Sequence, residues 1–232
     1  MSGLEVGYVD RTVLRCDELK LGRGEVLALL GASGTGKTTM FSALAGHIAP
    51  LGGRLNRSGE ELSAGWLRRN VARTLQNHPL LHWLTVADNI QMAARLRKVP
   101  RPDPKRILGQ VGAGHLVERW PATLSGGERC RASLALCLVS QPQMLLLDEP
   151  FNGLDAVVKR DAARAIQTFV HEHQCATIIT THDIEDALEC SQKVAVIRNG
   201  RTKASHVGPV WEVPADRHEW VEFTDRILAA LA

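Results

Sequence analysis

Short apolar runs bounded by glycine alternate along this chain with longer stretches in which apolar residues recur every three or four positions. The first pattern predicts buried strands and the second amphipathic helices. Residues 1–30 read as short strands that close on EVLALL, Glu25 to Leu30. KTTMFSALAGHI, Lys37 to Ile48, reads as a helix, and PLGG, Pro50 to Gly53, as a turn. From Thr85, TVADNIQMAARLRK sets a Thr and an Asp three apart ahead of a helical pattern, close to a capping box. VPRPDPK, Val99 to Lys105, breaks that helix, and weaker helical sequence runs on to about Leu116. Further strands are expected at Met144 to Leu147, Ala176 to Thr181 and Lys193 to Gly200, with helices at AVVKRDAARAIQTFVHEH and DIEDALECS between them. This alternation predicts an α/β fold with a parallel sheet. The helical middle, residues 77–140, reads as an insertion into one domain spanning 1–232.

Composition narrows the picture without changing it. The 232 residues are 44% hydrophobic and 23% charged, ordinary for a globular core. A net charge of +3 gives no electrostatic case for nucleic acid, so none is expected as partner. No apolar run reaches the ~18 residues of a membrane helix, and the N-terminus lacks a secretory pattern. A soluble, cytosolic protein is expected. The five cysteines include no C-x-x-C pair, and Cys130 and Cys137, on one helix face, are expected to be buried as small hydrophobes.

Two glycine-bearing stretches carry the chemistry. GASGTGKTT, Gly31 to Thr39, matches G-x-x-x-x-G-K-[ST] at Gly31, Gly36, Lys37 and Thr38, between an apolar strand and a helix. Such a loop wraps a polyphosphate with its backbone N–H groups, here from Gly31, Ser33, Gly34, Thr35, Gly36 and Thr39. Its lysine reaches the β- and γ-phosphates, and the Thr38 hydroxyl ligates Mg²⁺. MLLLDEP delivers Asp148 and Glu149 to the carboxyl end of a buried strand, where ligands bind in open α/β sheets. One carboxylate helps hold Mg²⁺ and the other polarises an attacking water. The second stretch, LSGGE from Leu124 to Glu128, also opens a helix, and Ser125 and Glu128 have the S-x-x-E spacing of a capping box.

P-loop, LSGG and LLLDEP in that order resemble the nucleotide-binding subunits of ATP-binding cassette (ABC) transporters over nearly the whole chain. The resemblance implies a RecA-like P-loop core with an antiparallel β subdomain and an inserted helical subdomain. It implies that Gln76 links Mg²⁺ and the nucleophilic water to the insertion, and that His182 in TTHD lies near the γ-phosphate. Asp155 in NGLD fits the D-loop aspartate, and Tyr8, the only tyrosine, stands where an aromatic stacks on adenine. Subunits of this family pair head to tail. Ser125, Gly126 and Gly127 of one then meet the γ-phosphate held by the P-loop of the other.

The implied protein binds ATP and Mg²⁺, dimerises on ATP, hydrolyses it and drives separate integral-membrane permease subunits at the cytoplasmic face of the membrane. HWLTVADNI and HDIEDALECSQKVAVIRNG look like importer subunits for nitrate, sulfonates, taurine or thiamine precursors, which also work with a solute-binding protein. The chain is expected to lack the C-terminal regulatory domain of sugar and methionine importers. An exporter or lipoprotein-release ATPase, a non-transport ABC ATPase and a non-enzymatic interaction module are the rivals. Four departures stand out: Glu128 where Gln is commoner, Leu136 where many members have Arg, NGLD for SALD, and Leu75 before Gln76. Leu80, Leu81 and Trp83 are expected to be exposed as a docking surface for the permease.

Overall fold

The computed structural model describes residues 1–9, 11–74, 80–199 and 204–231. The strands are β1 (Ser2–Tyr8), β2 (Arg11–Glu18), β3 (Val26–Leu30), β4 (Gly52–Arg54), β5 (Asn56–Arg57) and β6 (Glu60–Glu61). They continue with β7 (Val71–Arg73), β8 (Met144–Asp148), β9 (Ala176–Thr181), β10 (Lys193–Arg198) and β11 (Ser205–Glu212). Nine of them form one sheet in the order β4-β1-β2-β11-β10-β3-β9-β8-β7, and β5 pairs with β6 apart from it. The neighbours β10, β3, β9, β8 and β7 run parallel. The pairings of β1 with β2, β1 with β4 and β10 with β11 are antiparallel. The expected parallel core and antiparallel part are therefore present, joined edge to edge by β2 and β11.

The helices are α1 (Lys37–Leu44), α2 (Ala64–Asn70), α3 (Val86–Arg97), α4 (Pro104–Gly109), α5 (Gly126–Leu138), α6 (Ala156–His173), α7 (Ile184–Cys190) and α8 (Trp220–Leu231). A strand sends alternate side chains to opposite faces, and β8 divides the core accordingly. Leu145 and Leu147 pack with Ile90, Leu108, Leu116 and Leu134 of the helical region and with α6. Leu146 faces the other way, toward Met40 and Phe41 of α1 and the antiparallel strands. α3, α4 and α5 lie between β7 and β8 in the chain and share their core with the sheet. A third cluster joins α7 and α8 to β10 through Phe223, Ile227 and Val194. No helix among the described residues is long and apolar enough to cross a membrane.

Several boundaries differ from the sequence pattern. α1 stops at Leu44 rather than Ile48, because Gly46 takes φ +72° and closes the helix with a left-handed turn. β11 and α8 add an element pair beyond the last strand expected. All five cysteines are buried, and burial pushes the Cys130 and Cys137 thiols up to about 12. The apolar stretch before α3 is only partly exposed: Leu80 packs against the core, Leu81 is half-buried, and Trp83 alone of the three is open, at 60%. The buried Asn89 side chain pins this loop, accepting from Leu81 N–H and donating to the carbonyls of Leu81, Leu84 and Thr85.

α5 approaches α6 closely. A Cβ on Gly127 would come within 2.4 Å of Val158 Cγ1, and one on Gly126 within 2.6 Å of Leu154 Cδ2. Gly127→Ala should therefore lower unfolding stability by about 1–3 kcal/mol through overpacking. Gly65→Ala, on α2 with only Ser63 Oγ nearby at 3.9 Å, should raise it by about 0.5 kcal/mol. Chemical denaturation of the two variants checks the contrast; equal effects would contradict this packing.

Candidate functional site: a phosphate loop beside a carboxylate pair

Parallel register assembles the site. Leu30, the last residue of β3, pairs with Thr181, and Asp148, the last of β8, pairs with Thr180. The loop after β3, the residue after Asp148 and the residue after Thr181 thus meet at one carboxyl edge of the sheet. In the loop, Gly34 and Gly36 take φ +83° and +95°, left-handed values that side chains resist. Gly36 N-caps α1 without a side-chain cap, and the first turn carries no acid. The unpaired N–H groups and positive end of α1 are left for an external anion.

Lys37 follows at the helix start. Its ammonium is 6% exposed and donates to the carbonyls of Gly31 at 2.6 Å and Ala32 at 2.9 Å. Burial lowers its pKa, while Glu149 and Asp148 oppose the shift. Thr35 Oγ1 donates to Ala32 O at 2.9 Å and tightens the loop, whose Ser33 and Gly34 are exposed at its tip. Thr39 Oγ1 donates to the Tyr8 hydroxyl at 3.5 Å, which puts Tyr8, 57% exposed, beside the first turn of α1.

The two acids occupy different environments. Asp148 accepts from Thr180 Oγ1 at 2.8 Å, from Thr38 Oγ1 at 3.3 Å and from the Arg73 guanidinium at 2.8 Å. Glu149 takes φ +46°, a strained backbone costing roughly 1–3 kcal/mol, and its N–H donates to Thr180 O. That turn swings its carboxylate between Lys37 Nζ, 3.9 Å away, and His182 Nδ1, 3.6 Å away. His182 is 60% exposed. A hydroxyl and a carboxylate oxygen 3.3 Å apart at a phosphate loop form a hard, oxygen-only donor set that fits Mg²⁺.

The LSGGE loop lies apart. Among the described residues no hydrogen bond or ion pair joins Ser125, Gly126 or Gly127 to Gly31–Thr39. Ser125 N-caps α5: its Oγ accepts from Glu128 N–H, and Glu128 Oε2 accepts from Ser125 N–H at 2.8 Å, a complete capping box. Asp155 caps α6, its Oδ1 accepting from Val157 and Val158 N–H. Gln76 lies outside the described residues.

Sequence reasoning passed over two cations. Arg73 ends β7 against Asp148; a lone arginine closing an apolar strand at the carboxyl edge was the available signal. Lys159, four residues after Asp155, bridges Asp183 at 3.1 Å and Asp186 at 2.9 Å and ties α6 to the turn that carries His182. Burial works against its charge, but the two carboxylates outweigh it and hold the ammonium above its usual pKa.

Comparison with known proteins gives the family. The ABC transporter family profile matches residues 14–152. The nitrate import ATP-binding protein NrtC of a Synechocystis strain is 34% identical over 94% of this chain, but the match covers 34% of that protein. The aliphatic sulfonates import ATP-binding protein SsuB 2 of Burkholderia cenocepacia is 36% identical over 82% of this chain and 70% of its own length. The chain thus spans about a third of the nitrate relative, and about half of a sulfate/thiosulfate import relative from Vibrio cholerae that it also matches. Among solved structures, the ATP-binding cassette MJ0796, a dimer in a post-hydrolysis state bound to ADP and Pi, has TM-score 0.73 at 18% identity, covering 93% of this chain and 98% of that one. That likeness concerns the fold. The profile match over residues 14–152, with the sulfonate relative matched along most of its length, makes this chain a member of the ABC transporter family, in its ATP-binding cassette.

Proposed function

We propose that the chain is the ATP-hydrolysing subunit of an importer. The observation that carries this reading is the convergence of Lys37, Thr38, Asp148, Glu149 and His182 on the open start of α1. Lys37 and the backbone N–H groups of the loop hold the β- and γ-phosphates, and Tyr8 packs against adenine. Thr38, Asp148 and Gln76 hold Mg²⁺. Bound Mg²⁺ neutralises charge on the phosphate oxygens. Glu149 polarises the attacking water, and His182 meets the γ-phosphate from the adjacent strand end.

A second copy completes the site. α5 begins with its cap already made, yet the N–H groups of Gly126 and Gly127, first in the helix, have no partner within it. They are the donors for the γ-phosphate on the other subunit of a head-to-tail dimer, with Asp155 at the same seam. The import direction is supported by the names of the nitrate and sulfonate relatives. A membrane permease, a solute-binding protein and a station at the cytoplasmic face of the membrane follow from it.

Glu149→Gln keeps the size and hydrogen bonding of the side chain and removes its charge. Phosphate release should fall by ~10²-fold or more, the scale of a general-base contribution, while calorimetry still detects ATP binding. Unimpaired turnover would remove Glu149 from the chemistry.

The exposed Trp83, on a loop held by Asn89, is the proposed permease contact. Of the three apolar residues expected at a docking surface, Trp83 is the one open to solvent, at 60%. In cells carrying the whole transport system, Trp83→Glu should abolish solute uptake while basal ATP hydrolysis by the purified chain stays unchanged. Uptake at the normal rate would move the docking surface elsewhere.

A further inference from the structure

Arg73 sits where a strand side chain would ordinarily be apolar. Val71 and Ala72 before it are buried, and in the sheet Arg73 lies opposite Leu146, two residues short of Asp148. Its side chain is 9% exposed. One terminal nitrogen donates to Asp148 Oδ2 at 2.8 Å and the other to Ser42 Oγ at 2.9 Å. Ser42 Oγ in turn donates to the Thr38 carbonyl at 2.8 Å, and Thr38 Oγ1 donates to the same Asp148 Oδ2 at 3.3 Å. Arg73, Asp148, Thr38 and Ser42 thus close a ring around the two groups assigned to the metal. The guanidinium also lies 5.7 Å from the centre of the Phe41 ring, and its Nε has no partner among the described residues.

The charges matter more than the contacts. Lys37 and Arg73 bring two positive charges, and Asp148 and Glu149 two negative ones, so the cluster is neutral before a divalent cation arrives. Without Arg73 it would carry one net negative charge. A guanidinium hydrogen-bonded to Asp148 Oδ2 cancels most of the potential that this oxygen offers a cation, and it repels that cation directly. In a poorly solvated pocket both effects are strong. The same fixed positive charge attracts a nucleotide polyphosphate.

We propose that Arg73 is a positioning residue that fixes Asp148 and lowers the dependence of nucleotide binding on the divalent cation. It stands in for part of the charge that Mg²⁺ would otherwise supply. The proposal rests on reading Thr38 and Asp148 as the metal side of the site.

The test measures ATP affinity of the purified chain twice, in excess EDTA and in millimolar Mg²⁺, by calorimetry. The quantity read is the ratio of the two dissociation constants. In Arg73→Met the metal-free affinity should weaken and the Mg²⁺-supported affinity hold or tighten, so the ratio should rise about tenfold. Arg73→Lys, which keeps the charge, should stay within about threefold of the wild-type ratio. Should Arg73→Met lose its thermal transition, Arg73→Gln, which keeps hydrogen bonding and drops the charge, carries the same expectation. A ratio unchanged in the neutral variants would overturn the proposal, as would a lysine variant that behaves like methionine. Indifference to Mg²⁺ in both the wild-type chain and the neutral variants would instead overturn the metal assignment of Thr38 and Asp148, and this proposal with it.

Discussion

Asp148 accepts hydrogen bonds from Thr38 of α1, Thr180 of β9 and Arg73 of β7, and so ties three elements to the end of β8. A carboxylate only 3% exposed costs several kcal/mol unless it is paired and bonded. Those three donors meet the cost, and in doing so they fix where the phosphate loop stands relative to the strand ends. Thr180 serves twice, since its Oγ1 also accepts from Glu149 N–H at 3.1 Å. The strained turn at Glu149 is held by that bond, and the turn aims the second carboxylate at Lys37 and His182. The site's geometry thus depends on one buried acid and its donors.

The two glycine-bearing helix starts have complementary roles. α1 begins on a left-handed glycine with no cap of its own, and α5 begins on a complete capping box. The first start is unsatisfied without an anion. The second is stable alone and offers only the two N–H groups of Gly126 and Gly127, inside the box. This division fits a protein in which each chain supplies the main phosphate loop for one nucleotide and a lighter contact for another. Gly126 and Gly127 serve packing as well, because Leu154, just before α6, crowds a Cβ at the first and Val158 of α6 crowds one at the second.

Much of this could be read without coordinates because its causes are local. The capping box at Ser125 and Glu128 and the buried run before Asp148 each lie within a few residues, where spacing decides the outcome. Arg73 was missed because its partner is 75 residues away and reaches it only through the β7–β8 register. α8 repeats apolar residues at Phe223, Ile227 and Ala230, a helical signal as clear as any upstream. β11 is harder to read: it contains Gly208 and Pro209, and a register shift interrupts its pairing with β10. Burial of Leu80 could not be inferred from an apolar stretch alone, since the same residues suit a docking face and a core edge.

The central claim is that the Gly31–Thr39 loop and the Ser125–Gly127 loop serve different nucleotides. ATP affinity and turnover of the Ser125→Arg chain test it most directly, because the exposed Ser125 has no contact with the phosphate loop of its own chain among the described residues. The account predicts affinity of the isolated chain within about twofold of wild type and hydrolysis reduced by ~10²-fold or more, the scale of losing a preorganised donor for transition-state charge. Loss of ATP binding by the isolated, folded variant would contradict it, since both loops would then serve one site.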